Sequence, residues 1–262
     1  MLYIEKKAAP RTVNTRVAEI KSSPRWREID PQDTAALRAL FDELPKDDLR
    51  ISMQEEQHGL CAYCMARLNG DGTHTTIEHW SPLSKDKDNT LDYNNFLLVC
   101  KGGGDVSRDS FTGKRILCCD ASKGDQEIQL DPRDREMMSH IAYKKDGLIE
   151  FHPSAEVTRW NQESKERLNR ELNEVLCLNG KLEKNGSRTD SATQVIKGRR
   201  DAWTAGENII QRLKDKKLYS SAQIRKHIEA LRSAQLREPF VGVTIFYLER
   251  AYRKRKAMEE NR

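Results

Sequence analysis

Residues 61–124 hold the side chains of this chain that are best suited to chemistry. Cys61 and Cys64 form a Cys-x-x-Cys pair at the start of this stretch, and Cys100, Cys118 and Cys119 follow. Two thiolates two residues apart can both reach one zinc ion at about 2.3 Å, which leaves two positions for a distant second pair. Because adjacent cysteines rarely both bind one tetrahedral ion, we expect Cys100 and one of Cys118 and Cys119 to complete a structural zinc site.

A carboxylate and an imidazole, Glu78 and His79, lie between the cysteine clusters. The imidazole can take a proton from water near neutral pH. The carboxylate can hold a hard cation such as Mg²⁺ or Mn²⁺, which neutralises charge that develops on a phosphate during cleavage. The strand-prone residues 73–77 precede the pair, so we expect it at the end of a strand, with both side chains pointing towards one groove.

The composition predicts a charged, helix-rich protein of the cytoplasm. The chain has 262 residues, enough to bury a core without disulfide bonds, and its mean hydropathy is −0.81. No apolar run approaches the roughly 20 residues that a membrane span needs, and residues 1–7 lack the apolar centre of a signal peptide. Since cytosolic thiols are kept reduced, spaced cysteines there are better explained as metal ligands than as disulfides.

Basic side chains concentrate in the second part of the chain. Residues 1–150 hold 22 Lys and Arg and 26 Asp and Glu, a net charge of −4, whereas residues 151–262 hold 24 and 15, a net charge of +9. We expect this basic part to bind nucleic acid or a partner protein, and solvated helix faces are the alternative explanation.

The pattern along the chain predicts an α+β fold in three segments. Residues 1–57 are expected to form a short strand at 2–4 and helices at 34–44, capped by Asp33, and 46–57. Residues 58–135 form the metal-bearing core, in which the glycine-rich run 101–114 is a loop that splits the second cysteine pair. Residues 136–262 form a hairpin at 141–143 and 148–151, then helices at 191–213, 221–236 and 243–258. We expect Cys177 to be buried within a helix. We also expect three tryptophans in the core: Trp26, Trp160 and Trp203.

The central segment resembles the HNH endonuclease motif. The resemblance rests on Cys61-x-x-Cys64, the run Glu78-His79-Trp80-Ser81-Pro82-Leu83, Asn95 five residues before Cys100, and Cys119-Asp120 followed by Lys123-Gly124. It implies a ββα-metal core held by a zinc knuckle, and with Cys119 in the matched run we expect Cys61, Cys64, Cys100 and Cys119 to be the zinc ligands. By position it implies that His79 is the general base, that Glu78 and Asp120 bind the catalytic Mg²⁺ or Mn²⁺, and that Asn95 organises the loop. Asp120 stands where the family has His or Asn, and Asp is chemically a good Mg²⁺ ligand. In this interpretation Lys123 contacts a phosphate or faces solvent.

A wider set of segments resembles the PtuB-type HNH effectors of Septu and retron-linked antiphage systems. These segments are 3–7, 56–64, 77–80, 119–124 and 175–179, and the resemblance is strong to about residue 135 and weaker beyond it. It implies an endonuclease that cleaves phosphodiester bonds of DNA or RNA as a defence effector. It also implies a PtuA-type ATPase as partner and, in retron versions, a reverse transcriptase with its RNA-DNA product.

Two other functions account for part of the same residues. A non-catalytic zinc-ribbon adaptor that binds nucleic acid or protein explains the cysteines, but it leaves Glu78, His79, Asn95 and Asp120 without a role. A hydrolase with a catalytic zinc is disfavoured, because four thiolates leave no open position for water.

Overall fold

Helices and two small antiparallel hairpins make up the fold, which we describe from a computed structural model for residues 1–69, 72, 74–102, 117–154, 156–180 and 192–261. In these ranges the helices are α1 (Arg11–Ser22), α2 (Pro24–Glu28), α3 (Thr34–Asp42), α4 (Lys46–Glu56), α5 (Asp120–Lys123), α6 (Arg135–Ser139), α7 (Gln162–Arg170), α8 (Ala192–Asp215), α9 (Ser221–Ser233) and α10 (Val241–Glu260). The strands are β1 (Thr75–His79), β2 (Phe96–Cys100), β3 (Ile141–Tyr143) and β4 (Ile149–Phe151). The predicted mostly helical α+β fold is confirmed.

The N-terminal segment is built from helices whose ends follow from local chemistry. The Asp33 side chain accepts a hydrogen bond from the Ala36 N–H, which caps α3 as predicted. Pro45 then separates α3 from α4. Helix α1 was not expected from the pattern. Residues 2–4 do not form the expected strand, because a single backbone bond, from Ile4 N–H to the Pro132 carbonyl, does not make a ladder.

The central hairpin pairs β1 with β2 in antiparallel register, with Thr75 opposite Cys100 and His79 opposite Phe96. Residues 96–99 are fully buried, so β2 is a continuous apolar run rather than an alternating one. The Gln57 side chain follows α4 and forms two bonds with the backbone of Leu98, accepting from its N–H at 2.8 Å and donating to its carbonyl at 2.7 Å. These contacts fix the scaffold beneath the residues that could do chemistry.

The C-terminal segment begins with the predicted hairpin, β3 paired with β4, and continues into helices α7 to α10. Helix α10 packs on both α8 and α9. All three tryptophans expected in the core are buried, each at most 8% exposed. Cys177 is buried but does not lie within a helix: it follows a π-helical turn, Glu171–Val175, and has a left-handed φ of 50°.

One hydrophobic cluster includes buried residues from all three segments, from Met1 to Leu248. Within the described ranges, no helix combines the length and apolar character that crossing a membrane requires.

Candidate metal centre and active site

Four cysteine thiols meet at one point between the central hairpin and α5. The Sγ atoms of Cys61, Cys64, Cys100 and Cys119 all lie within 4.8 Å of one another. Three of the separations are 3.9 Å for Cys61 and Cys119, 3.7 Å for Cys64 and Cys100, and 3.7 Å for Cys100 and Cys119. Four sulfurs bound tetrahedrally at about 2.3 Å from one zinc ion stand roughly 3.8 Å apart, so the cluster has the dimensions of a structural zinc site.

Tight backbone turns bring these four thiols together. The first pair lies in a turn closed by the bond from Met65 N–H to the Cys61 carbonyl, with Met65 at a φ of 65°. The second pair is discontinuous: Gly102 and Cys118 are joined by a bond of 3.0 Å from Cys118 N–H to the Gly102 carbonyl. A Cβ on Gly102, whose φ is 68°, would stand 2.3 Å from the Cys118 carbonyl oxygen. Only glycine therefore fits this closure.

Cys119, not Cys118, belongs to the four-cysteine cluster. Cys119 has a left-handed φ of 56°, and its N–H donates to the Leu176 carbonyl at 2.9 Å. Between Cys100 and Cys119 the sequence predicted a loop at residues 101–114. Of these, residues 103–114 lie outside the described residues.

The crowded thiols have strongly separated acidities. Hydrogen bonds from Cys118 and Cys119 lower the pKa of Cys100, whereas hydrogen bonding to Cys100 raises the pKa values of Cys64 and Cys119. Four such thiols can all ionise only when a cation balances their charge. This donor set fits Zn²⁺, which four buried sulfurs can bind as a closed structural site.

A second cluster joins the end of β1 to α5. The Glu78 carboxylate lies 2.7 Å from the Lys123 ammonium, with side chains 7% and 1% exposed. Tyr63, between the first two cysteines, donates its hydroxyl to Glu78 at 3.4 Å. Burial and a hydrogen bond with Asp120 raise the pKa of Glu78 to about 9, and Lys123 acts against that rise. Glu78 and Asp120 thus lie close enough to interact, and the cation that lies against Glu78 is the Lys123 ammonium.

Lys123 is not at the surface, so the expected solvent-facing side chain is corrected. Its ammonium also approaches the His79 carbonyl at 3.3 Å, so α5 is attached to the last two residues of β1.

The His79 ring lies between two phenylalanines, with centroids 4.5 Å from Phe41 and 5.0 Å from Phe96. Its Nε2 lies 3.1 Å from the Thr90 carbonyl oxygen. A carbonyl oxygen only accepts, so Nε2 carries the ring hydrogen and Nδ1 keeps its lone pair. Among the described residues Nδ1 has no hydrogen-bond partner. Burial lowers the pKa of His79 to about 3, with the Thr90 bond opposing that shift, so the ring is neutral at physiological pH.

The two adjacent residues do not point into one groove. Glu78 faces Lys123 of α5, whereas His79 faces Phe41 of α3. Neighbouring side chains of a strand alternate between its faces, and β1 keeps this alternation up to its last residue. The expectation of a shared groove is corrected by this geometry.

Asn95 connects the ends of the segment that follows β1. Its Oδ1 accepts from the Ser81 N–H at 2.8 Å, and its Nδ2 donates to the carbonyls of Ser81 at 3.0 Å and Asn89 at 3.1 Å. The Asn89 carbonyl directly precedes Thr90, whose own carbonyl fixes the His79 ring. Asn95 therefore positions the residue that sets the tautomer of His79.

Two contributors to this site were missed from the sequence. Thr90 acts through its backbone carbonyl, for which no residue type is a signal. Tyr63 has a signal, because an aromatic ring with a polar tip between two zinc ligands can place a hydroxyl near the metal-bearing turn. A comparison of the chain with models of known protein families finds no match, and a comparison with curated proteins finds none either.

Proposed function

We propose that this protein is a zinc-stabilised, metal-dependent endonuclease of the HNH type. The state of His79 carries the proposal: Nε2 is held by the Thr90 carbonyl, and Nδ1 is a neutral, unpartnered base. A ring fixed in this tautomer keeps the Nδ1 lone pair for a proton, but burial makes this nitrogen a weak base until water and the anionic phosphate reach it. Buried polar atoms without a partner are uncommon in folded proteins, and the Oγ1 of Thr90 is another such atom among the described residues.

The other residues support the same chemistry. Strands β1 and β2 followed by α5 form a ββα unit on the four-cysteine cluster. Glu78 and Asp120 are the residues that would hold a Mg²⁺ or Mn²⁺ ion, and such an ion would supply charge neutralisation at the phosphate. His79 takes the proton of the attacking water through Nδ1, and Asn95 holds the segment that orients His79. Because Glu78 and His79 point to opposite faces of β1, joint action on one phosphodiester requires a rearrangement of one of the two side chains.

The biological setting in this proposal follows from the resemblance to PtuB-type effectors. The substrate is nucleic acid, DNA or RNA, and the enzyme acts in antiphage defence with a PtuA-type ATPase, and in retron versions with a reverse transcriptase and its RNA-DNA product. The net charge of +9 in residues 151–262 supports contact with a polyanion.

The test compares His79→Ala with His227→Ala, a matched loss of an exposed histidine on α9. Each protein is purified alone and with the ATPase, then incubated with duplex DNA, single strands or total tRNA, with and without Mg²⁺. We expect Mg²⁺-dependent cleavage by wild type and His227→Ala, and a loss of roughly 10²- to 10⁴-fold in His79→Ala. Undiminished cleavage by His79→Ala would refute the proposal.

One observation favours a second candidate, a non-catalytic zinc-stabilised adaptor. The Glu78 carboxylate is already paired with Lys123 at 2.7 Å, and both side chains are buried. Such a pair can serve packing alone. The adaptor predicts that Mg²⁺ or Mn²⁺ does not bind at Glu78, so titration of Mn²⁺ into wild type and Glu78→Gln, followed by electron paramagnetic resonance, separates the two functions.

A further inference from the structure

An open groove of about 1240 Å³ lies between the first residues of the chain, the β3–β4 hairpin and helix α10. Sites for small molecules typically measure roughly 300–1,000 Å³. The size of this groove therefore suits a section of a polymer better than a metabolite.

The wall of the groove has more positive charge than its own acids can balance. Its seven Lys and Arg side chains face only two Glu side chains. Both acids are already paired, Glu150 with Lys144 at 2.6 Å and Glu249 with Arg232. In the part of the chain that the structure describes, four arginines of the wall have no carboxylate partner: Arg135, Arg237, Arg250 and Arg253.

These four guanidinium groups come from different parts of the fold. Arg250 and Arg253 are exposed and lie about one turn apart on α10, so they share a face of that helix. Arg135 begins α6, and Arg237 donates from Nη2 to the Arg232 carbonyl at 2.7 Å, while its Nε is buried without a hydrogen-bond partner in the described residues. Guanidinium groups match phosphate oxygens in a two-pronged geometry, and an unbalanced cluster of them attracts polyanions.

The floor of the groove is aromatic. Phe246 is half-buried and rests on Tyr143 and Trp203, with ring centroids 5.6 Å and 6.5 Å away. Tyr3 is also half-buried, and the Arg135 guanidinium lies over its ring at 4.1 Å from the centroid. Partly exposed rings can stack on unpaired bases while nearby cations hold the backbone.

We propose that this groove binds a single-stranded segment of nucleic acid, with the four arginines on its phosphates and Phe246 against its bases. An acidic peptide would satisfy the arginines but would bring no flat partner for the aromatic floor. The inference rests on the proposed endonuclease function, to which it adds the strand state of the bound substrate.

Binding is measured without Mg²⁺, by fluorescence anisotropy of labelled 12-nucleotide single strands, on the full-length zinc-loaded protein. The variant Arg250→Gln with Arg253→Gln is compared with Lys254→Gln with Lys256→Gln, an equal loss of charge on α10 outside the groove. Each phosphate contact with a single strand contributes about 0.7 to the slope of log affinity against log salt. We expect a slope near −2.8 for wild type and the control, and about −1.4 for the arginine variant.

Arg135→Gln provides a second variant on another helix, with an expected slope of about −2.1. An unchanged slope in both arginine variants would overturn the groove assignment, as would duplex binding as tight as single-strand binding. Displacement of the strand by polyglutamate of equal charge at equal concentration would assign the groove to an acidic protein instead. Failure of the groove proposal can be told apart from failure of the nuclease proposal. If wild type does not cleave nucleic acid but binds single strands with the expected salt slopes, only the nuclease proposal is overturned. If wild type cleaves and the arginine variants bind single strands with an unchanged slope, only the groove proposal is overturned.

Discussion

Replacing Cys119 and Cys118 one at a time gives a matched test of the zinc site. The two residues are adjacent and both buried, but only Cys119 belongs to the four-thiol cluster. Serine is close to cysteine in shape, and at neutral pH its hydroxyl is a poor substitute for a thiolate. Cys119→Ser should therefore lose a zinc ligand, whereas Cys118→Ser should lose none.

The expected size of the effect follows from the four-sulfur geometry. Structural zinc sites contribute about 10–16 kcal/mol of binding free energy, so an equal share for each of four ligands is roughly 2.5–4 kcal/mol. At about 1.4 kcal/mol per tenfold, Cys119→Ser should weaken zinc binding by roughly 60- to 700-fold. Cys118→Ser should keep the zinc affinity and lose only about 1–3 kcal/mol of stability, the cost of a buried hydroxyl.

The assay is competition for Zn²⁺ against a chromogenic chelator, with bound zinc counted by mass spectrometry and unfolding followed by circular dichroism. Wild type should retain one zinc per chain. The reasoning is refuted if Cys118→Ser loses zinc while Cys119→Ser retains it, or if the wild-type protein binds no zinc.

Three further substitutions test other parts of the structure. Burial lowers the pKa of Lys46 from 10.5 to about 7. Between these two values the unfolded chain holds a proton that the folded chain has lost, so the free energy of unfolding should rise as the pH rises from about 7 to 10.5. Urea unfolding of Lys46→Met at several pH values should show a smaller rise. Glu171→Ala should cost about 2–6 kcal/mol, because its carboxylate accepts from two backbone N–H groups of residues 129–130; Glu171→Gln should cost less in the same unfolding assay. Gly102→Ala should lower the melting temperature and zinc retention more than Gly124→Ala, since both have positive φ but only Gly102 lacks room for a Cβ.

Much of the helical framework could be predicted because its signals are local. The Asp33 cap, the break at Pro45 and the 3.6-residue apolar pattern predicted α3 and α4 within about two residues. The same pattern predicted the C-terminal helices. It missed α1, whose apolar positions are few: only Val13 and Ile20 of that helix are buried.

The sequence indicated which residues lie near the site, but it did not predict which side chains contact each other or which way they point. The spacing of the cysteines narrowed the fourth ligand to two neighbours, and the choice depends on the left-handed backbone of Cys119, which only tertiary contacts stabilise. The ion pair between Lys123 and Glu78 was equally hidden, since it joins residues 45 positions apart. Glu78 and His79 point in opposite directions because neighbouring side chains of a strand alternate between its faces. The prediction located the end of the strand but did not consider this alternation.

The hydrogen bond between Gly102 and Cys118 has a consequence for the length of the chain between them. Gly102 follows Cys100, Cys118 precedes Cys119, and the backbones of Gly102 and Cys118 are hydrogen-bonded to each other. The positions of the sulfurs therefore do not fix the number of residues between Gly102 and Cys118. Doubling such a connection costs only about 0.6 kcal/mol in chain entropy. The four-sulfur centre therefore does not depend on how many residues join Gly102 to Cys118.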